Sequence, residues 1–97
     1  MEIELSPQAL EDLSSIALYI AADSPVRALT FTDELEEKAL SLRHAPYKGA
    51  DRSDVSAGLR LLPHGNYNIY YKVQGQKLML VRILHSARNI NMGDLTN

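Results

Sequence analysis

The period of the hydrophobic positions changes along this chain, and each change marks an element. Ile3 and Leu5 alternate with Glu2 and Glu4, which predicts a short half-buried strand over Glu2–Leu5. Ser6-Pro7 follows, a capping residue and then a proline at the first helical position, where its missing N–H is harmless. Leu10, Leu13, Ile16, Ala17 and Ile20 then recur at helical spacing, with Glu11, Asp12, Ser14 and Ser15 assigned to the opposite side. The same start signal returns at Ser24-Pro25. It opens a second stripe of Ala28, Phe31, Leu35, Ala39 and Leu42, opposed by Asp33, Glu36 and Glu37. Only Ala22 and Asp23 separate the two patterns, so the helices are expected to fold back as an antiparallel hairpin.

From Ala45 to Ala57 the apolar period is lost among Pro46, Gly49, Asp51, Ser53, Asp54 and Ser56, and the segment reads as a loop. Beyond it the period becomes strand-like. Leu59 to Leu62 is one short strand, ended by Pro63-His64-Gly65-Asn66; Tyr67 to Val73 is a second, rich in strand formers. Gln74-Gly75-Gln76 supplies a tight turn, and Lys77 to His85 is the longest strand. Connections this short dictate an antiparallel meander. Residues 1–97 therefore read as a single α+β domain of order β-α-α-β-β-β, a helical hairpin packed on one face of a small, mainly antiparallel sheet. In the last strand Leu80, Arg82 and Leu84 fall on one side and Met79, Val81, Ile83 and His85 on the other, so both sides are largely apolar. That pattern leads us to expect another chain over part of the sheet or its edge, the alternative being cover from the domain itself.

Composition narrows the classes. No cysteine is present, which excludes a disulfide scaffold, a thiolate nucleophile and any Cys-ligated metal. No apolar run approaches the ~20 residues that span a bilayer. The opening Met-Glu-Ile-Glu-Leu lacks the basic and apolar regions of a signal peptide, so a cytoplasmic location is expected. The net charge of −2 hides a division. Residues 1–45 hold nine acidic against three basic side chains, a balance of −6, and residues 46–97 hold three against seven, a balance of +4. The basic half either meets an anionic partner or complements the acidic half.

Motifs with dedicated chemistry are missing: no Gly-rich phosphate loop, no His-Glu-x-x-His, no EF-hand pattern, no Gly-x-Ser-x-Gly. His44, His64 and His85 have no ligand spacing, so neither a metal nor another cofactor is expected. The positive signal is a spread of cationic side chains, Arg60, Arg82, His85 and Arg88, of the kind that grips phosphate or carboxylate.

Gly58-Leu59-Arg60, then Asn66-Tyr67-Asn68-Ile69-Tyr70-Tyr71-Lys72-Val73, then Val81-Arg82-Ile83-Leu84-His85-Ser86-Ala87-Arg88 resembles the C-terminal half of the RelE/ParE toxins, the toxic partners of type II toxin–antitoxin pairs. The element order is also similar to theirs, as is Ser6-Pro7-Gln8-Ala9-Leu10-Glu11-Asp12-Leu13 after the opening strand. The likeness covers nearly the whole chain. It implies one of two activities. RelE-like members cut mRNA on the ribosome with lysines, arginines and a terminal acid–base group; ParE-like members poison DNA gyrase by binding it. Here Asn68 stands where the nuclease pattern has an arginine, no tyrosine follows Tyr71, and the tail from Asn89 to Asp94 offers neither phenol nor imidazole. The His85-x-x-Arg88 ending is nearer the ParE pattern.

The resemblance thus implies a ParE-like toxin without catalytic residues, acting on gyrase to block replication. A ParD-like antitoxin would neutralise it in a hetero-oligomer. No membrane association and no sequence-specific nucleic-acid binding are expected. Arg60, Arg82, His85 and Arg88 are the candidates for the target- or antitoxin-facing surface. Leu29 and Leu40, off the Phe31–Leu35–Leu42 stripe, are candidate anchors for an antitoxin helix. The alternatives are a ribosome-dependent nuclease using Arg82, His85 and Arg88, and a non-toxic relative that keeps only antitoxin binding.

Overall fold

The computed structural model describes residues 1–96. Its elements are β1 (Glu2–Leu5), α1 (Pro7–Ala21), α2 (Pro25–Ser41), β2 (Ala50–Asp51), β3 (Leu59–His64), β4 (Tyr67–Gln74) and β5 (Lys77–His85), followed by a 3-10 turn at Met92–Leu95. Both helices start as their caps dictate: the Ser6 hydroxyl accepts the Ala9 N–H at 3.0 Å and the Ser24 hydroxyl the Arg27 N–H at 3.2 Å. The strands form one sheet of order β1-β5-β4-β3-β2. β1 runs parallel to β5, and every other pairing is antiparallel. The α+β reading holds, with a helical hairpin on one face of the sheet.

Three details depart from the sequence expectation. The segment after α2 is not wholly a loop, because Ala50 and Asp51 pair with Leu61 and Arg60. β3 continues through Pro63 to His64 rather than stopping at Leu62. Proline is tolerated there because β2 reaches only as far as Arg60 and Leu61, so that edge of β3 needs no donor at Pro63. In β5, Tyr70 is opposite Arg82 and Tyr71 opposite Leu80, so Val81 is an extra, bulged residue. The bulge shifts the alternation. Leu80 and Ile83 both join the helix-side core with Phe31, Leu35, Leu42, Ile69 and Leu78, while Val81 and Leu84 join the opposite face.

That opposite face needs no second chain to bury it. Leu59, Tyr70 and Leu84 are covered by Val55 from the β2–β3 loop and by Ile90 and Leu95 from the C-terminal segment. The expectation of a partner over this face is corrected accordingly. The bulge gave both sides of β5 apolar residues, and the domain itself supplies the cover.

β1 covers only the first part of β5, up to Leu80. Past that point the backbone of β5 would face nothing, and an unpaired buried peptide group is costly. The start of α1 fills the gap. The Ser6 N–H donates to the Leu80 carbonyl at 2.9 Å and the Ser6 hydroxyl to the Val81 carbonyl at 2.8 Å. Six residues on, the Asp12 carboxylate accepts the Ile83 N–H at 2.9 Å and receives Arg82 through two N–H groups at 2.7 and 2.9 Å. Asp12 therefore turns inward rather than lying on the solvent face with Glu11, and Ala9 is buried in place of the exposed Leu10.

Next to the start of β2, the Tyr71 hydroxyl donates to the Pro46 carbonyl at 2.8 Å and accepts the Gly49 N–H at 3.0 Å. Burial pushes its phenol above the usual range, which keeps it a neutral donor. A Cβ on Gly49 would lie 2.6 Å from that hydroxyl and 2.9 Å from the Leu61 carbonyl.

Gly49→Ala is therefore expected to cost about 1–3 kcal/mol by overpacking. In a thermal melt this appears as a fall in Tm of roughly 5–20 °C. Asp12→Ala strands a largely buried guanidinium and the Ile83 N–H together, so urea unfolding should lose about 3 kcal/mol. Asp12→Asn, which keeps an acceptor for Ile83, should lose distinctly less.

Candidate functional site

The four cationic candidates do not assemble into one cluster; each is drawn to a different neighbour. Arg60, on β3, turns toward the segment after α2. Its guanidinium donates to the Tyr47 and Gly49 carbonyls at 3.1 and 2.8 Å and lies 5.1 Å from the centre of the Tyr47 ring. Arg82 is locked by Asp12, whose hydrogen bond is the first cause holding its guanidinium charged more firmly than usual. Its remaining nitrogen donates to the Asp94 carbonyl at 2.9 Å. Arg88 pairs with the Asp94 carboxylate. His85 is exposed, with its ring 5.5 Å edge-on from Tyr67 and its Nδ1 accepting the Ala87 N–H at 3.0 Å. With Nδ1 so occupied, the neutral ring carries its proton on Nε2, the nitrogen left for a partner, which therefore donates rather than accepts.

Tyr67 continues this row into Phe31 at 5.3 Å, and Phe31 into His64 at 5.6 Å. His64 Nε2 lies 3.0 Å from Glu34, and Arg27 reaches the same carboxylate at 2.7 Å. Arg27 first, and His64 second, hold the Glu34 carboxyl below the usual carboxylate range. Among the described residues no group of histidine and carboxylate side chains is placed to hold a metal ion.

The helical side offers a different feature. A cleft of about 360 Å³ opens between α2 and β1. Ile3, Leu5, Leu13, Leu35, Leu80 and Ile83 line its apolar part, and Asp33, Glu36, Leu40 and Arg43 lie at α2. Leu40 thus stands at this cleft, 38% exposed. Leu29 does not line it, and lies 70% exposed elsewhere on α2. β1 borders the cleft as a terminal strand of the sheet, with one edge unpaired. Leu18, Tyr19 and Val26 add further exposed apolar surface near the α1–α2 turn.

Sequence reading missed Asp12 and Asp94, the two carboxylates that organise the arginines. For Asp12 a signal existed, since it lies within the Ser6–Leu13 motif, but helical periodicity placed it on the polar face. For Asp94 no periodic signal existed. The cleft was also missed, because its wall combines a strand, two helices and the sheet floor.

The arrangement can bind but is poorly set for proton transfer. It presents an apolar cleft rimmed by Asp33, Glu36 and Arg43, and apart from it Arg82 and Arg88 already matched to carboxylates. A solved structure described as the chromosomal ParDE TA system from P. aeruginosa has a similar fold, with a TM-score of 0.72 and 24% sequence identity, covering 88% of this chain and 95% of that one. No curated protein matches. The family model described as ParE toxin of type II toxin-antitoxin system, parDE, matches residues 3–90. No helix among the described residues is long and apolar enough to cross a membrane. The chain belongs to the ParE toxins of type II toxin–antitoxin systems.

Proposed function

We propose that this toxin acts by binding DNA gyrase in the cytoplasm and blocking replication, without catalytic residues of its own, and that a cognate antitoxin neutralises it by occupying the cleft beside α2. The single observation that favours binding over mRNA cleavage is the state of the arginines. A nuclease needs unengaged cations around the scissile phosphate and a group to move the 2′-hydroxyl proton. Arg82 and Arg88 are engaged by Asp12 and Asp94. His85 presents a protonated nitrogen in its neutral form and has no arginine partner among the described contacts.

The antitoxin reading rests on chemistry at the cleft. An apolar side chain has room between Leu40 and β1, while Asp33 and Glu36 favour a basic residue beside it and Arg43 an acidic one. The unpaired edge of β1 offers backbone groups to an extended segment. That the related P. aeruginosa structure is a ParDE system supports a ParD-like partner here.

Purified toxin added to gyrase, ATP and plasmid should abolish supercoiling or trap linear DNA, while a parallel translation reaction keeps its mRNA intact. Cleaved mRNA with unaffected gyrase would falsify the reading and return His85, Arg82 and Arg88 to catalytic roles. For the antitoxin, Leu40→Ala is expected to raise Kd about tenfold, or ~1.4 kcal/mol, by calorimetric titration. The toxin's own Tm should fall by only a few degrees, since Leu40 is 38% exposed at the cleft. An unchanged Kd would place the antitoxin elsewhere.

A further inference from the structure

The outer face of the sheet is closed by the end of the chain. Ile90 and Leu95 lie against Leu59, Tyr70 and Leu84. Between them the buried Asp94 carboxylate receives the Arg88 guanidinium and accepts the Asn91 N–H at 3.0 Å, with Arg82 3.8 Å away. The Gln8 side-chain amide donates to the Thr96 carbonyl and ties down the end.

The two arginines differ in what holds them. Arg82 is fixed by Asp12 and its side chain is 14% exposed, so it stays in place without Asp94. Arg88 is half-exposed and its ion pair is with Asp94. The segment over them is held by these polar links and by three inward-facing side chains, with the rest of its length in solvent. Met92–Leu95 is a single 3-10 turn, and Asn89, Asn91, Met92, Gly93 and Thr96 are exposed, leaving Ile90, Asp94 and Leu95 to face inward. Segments with so few buried contacts open at a free energy below that of global unfolding.

We propose that Asn89–Thr96 is a displaceable occupant of a peptide-docking surface, and that the protein segment it stands in for carries the same chemistry: an aliphatic side chain, an acidic one four positions later, and a second aliphatic next to it. The partner's carboxylate enters between Arg82 and Arg88, and its aliphatic groups take the places of Ile90 and Leu95 over Leu84 and Tyr70. Charge complementarity and the native occupant both select an acidic peptide. Nucleic acid fits less well, because the surface under the tail is the apolar one of Leu59, Tyr70 and Leu84, Arg52 is already paired with Asp54 at 3.0 Å, and a single ammonium, Lys72 beside the Ser56 hydroxyl, is too little charge to hold a phosphate backbone. The surface lies across the sheet from the cleft beside α2 and does not depend on the antitoxin assignment there.

The test uses the full chain carrying Asp94→Asn, followed by NMR amide exchange and titration with a synthetic peptide of residues 89–97. Amides of residues 91–95 should exchange at least about tenfold faster, with β4 and β5 unchanged. The peptide should shift the Arg82, Leu84 and Arg88 resonances of the variant, bind the unaltered chain at least about tenfold more weakly, and lose binding when its own Asp is replaced by Asn. Tail exchange that stays slow, or faster exchange throughout β4 and β5, overturns the proposal. So does absence of peptide binding, or a single-stranded RNA decamer binding the variant more tightly than the peptide. If Asp94→Asn does not fold, Arg88→Gln releases the tail from the other side and must speed the same amides.

Discussion

β5 spans Lys77–His85 while its parallel neighbour β1 pairs only as far as Leu80, and the mismatch decides how the helices meet the sheet. Where β1 stops, the chain must turn away and still satisfy the β5 backbone it leaves behind. Ser6 does both at once: its N–H and hydroxyl bond to the carbonyls of Leu80 and Val81, and the same hydroxyl caps α1. Asp12 completes the seam one and a half turns later at Ile83. With α1 pinned at two points to β5, its axis is fixed, and the three-residue connection Ala22–Ser24 then leaves α2 little choice of position. The cleft beside α2 is the space between an α2 placed in this way and the short β1.

The bulge at Val81 belongs to the same seam. Without it, strict alternation would carry Leu80, Arg82 and Leu84 to one side, and the helix-side core would lose either Leu80 or Ile83. Bulging adds one residue and keeps both. This explains why β5 looked apolar on both sides when read with a period of two, and why that reading pointed to a missing partner. The helices, the β3–β5 meander and the glycine turn at Gly75, where φ is 62°, were legible because periodicity and turn chemistry act locally. The bulge, the β2 bridge and the closing role of the tail were not, since each depends on which residues lie opposite in space.

Charge tells a related story. The acidic first half and basic second half meet in the ion pairs Lys77–Glu4 and Arg82–Asp12, and His64 lies beside Glu34. Part of the asymmetry that suggested an anionic partner is thus answered within the fold. The exposed pairs add little to stability at ordinary salt. The Arg82–Asp12 pair differs, because both side chains are about 15% exposed and each is also bonded to backbone. Among the four cationic candidates, Arg82 is the one most deeply used in holding the fold together. Sequence gave its residue type and strand, whereas its commitment depended on a carboxylate 70 positions away.

That commitment bears directly on what this toxin can do. Withdrawing the Arg82 guanidinium to hold a substrate phosphate would leave Asp12 with the Ile83 N–H as its remaining partner, and a carboxylate so buried is expensive to strand. The seam that positions α1 and any catalytic use of Arg82 therefore compete for one side chain. A surface that works through binding escapes the conflict. A partner's carboxylate can take the place of Asp94 on the outer side of Arg82 while Asp12 keeps the inner side, so recognition needs no rearrangement of the seam on which the helices rest.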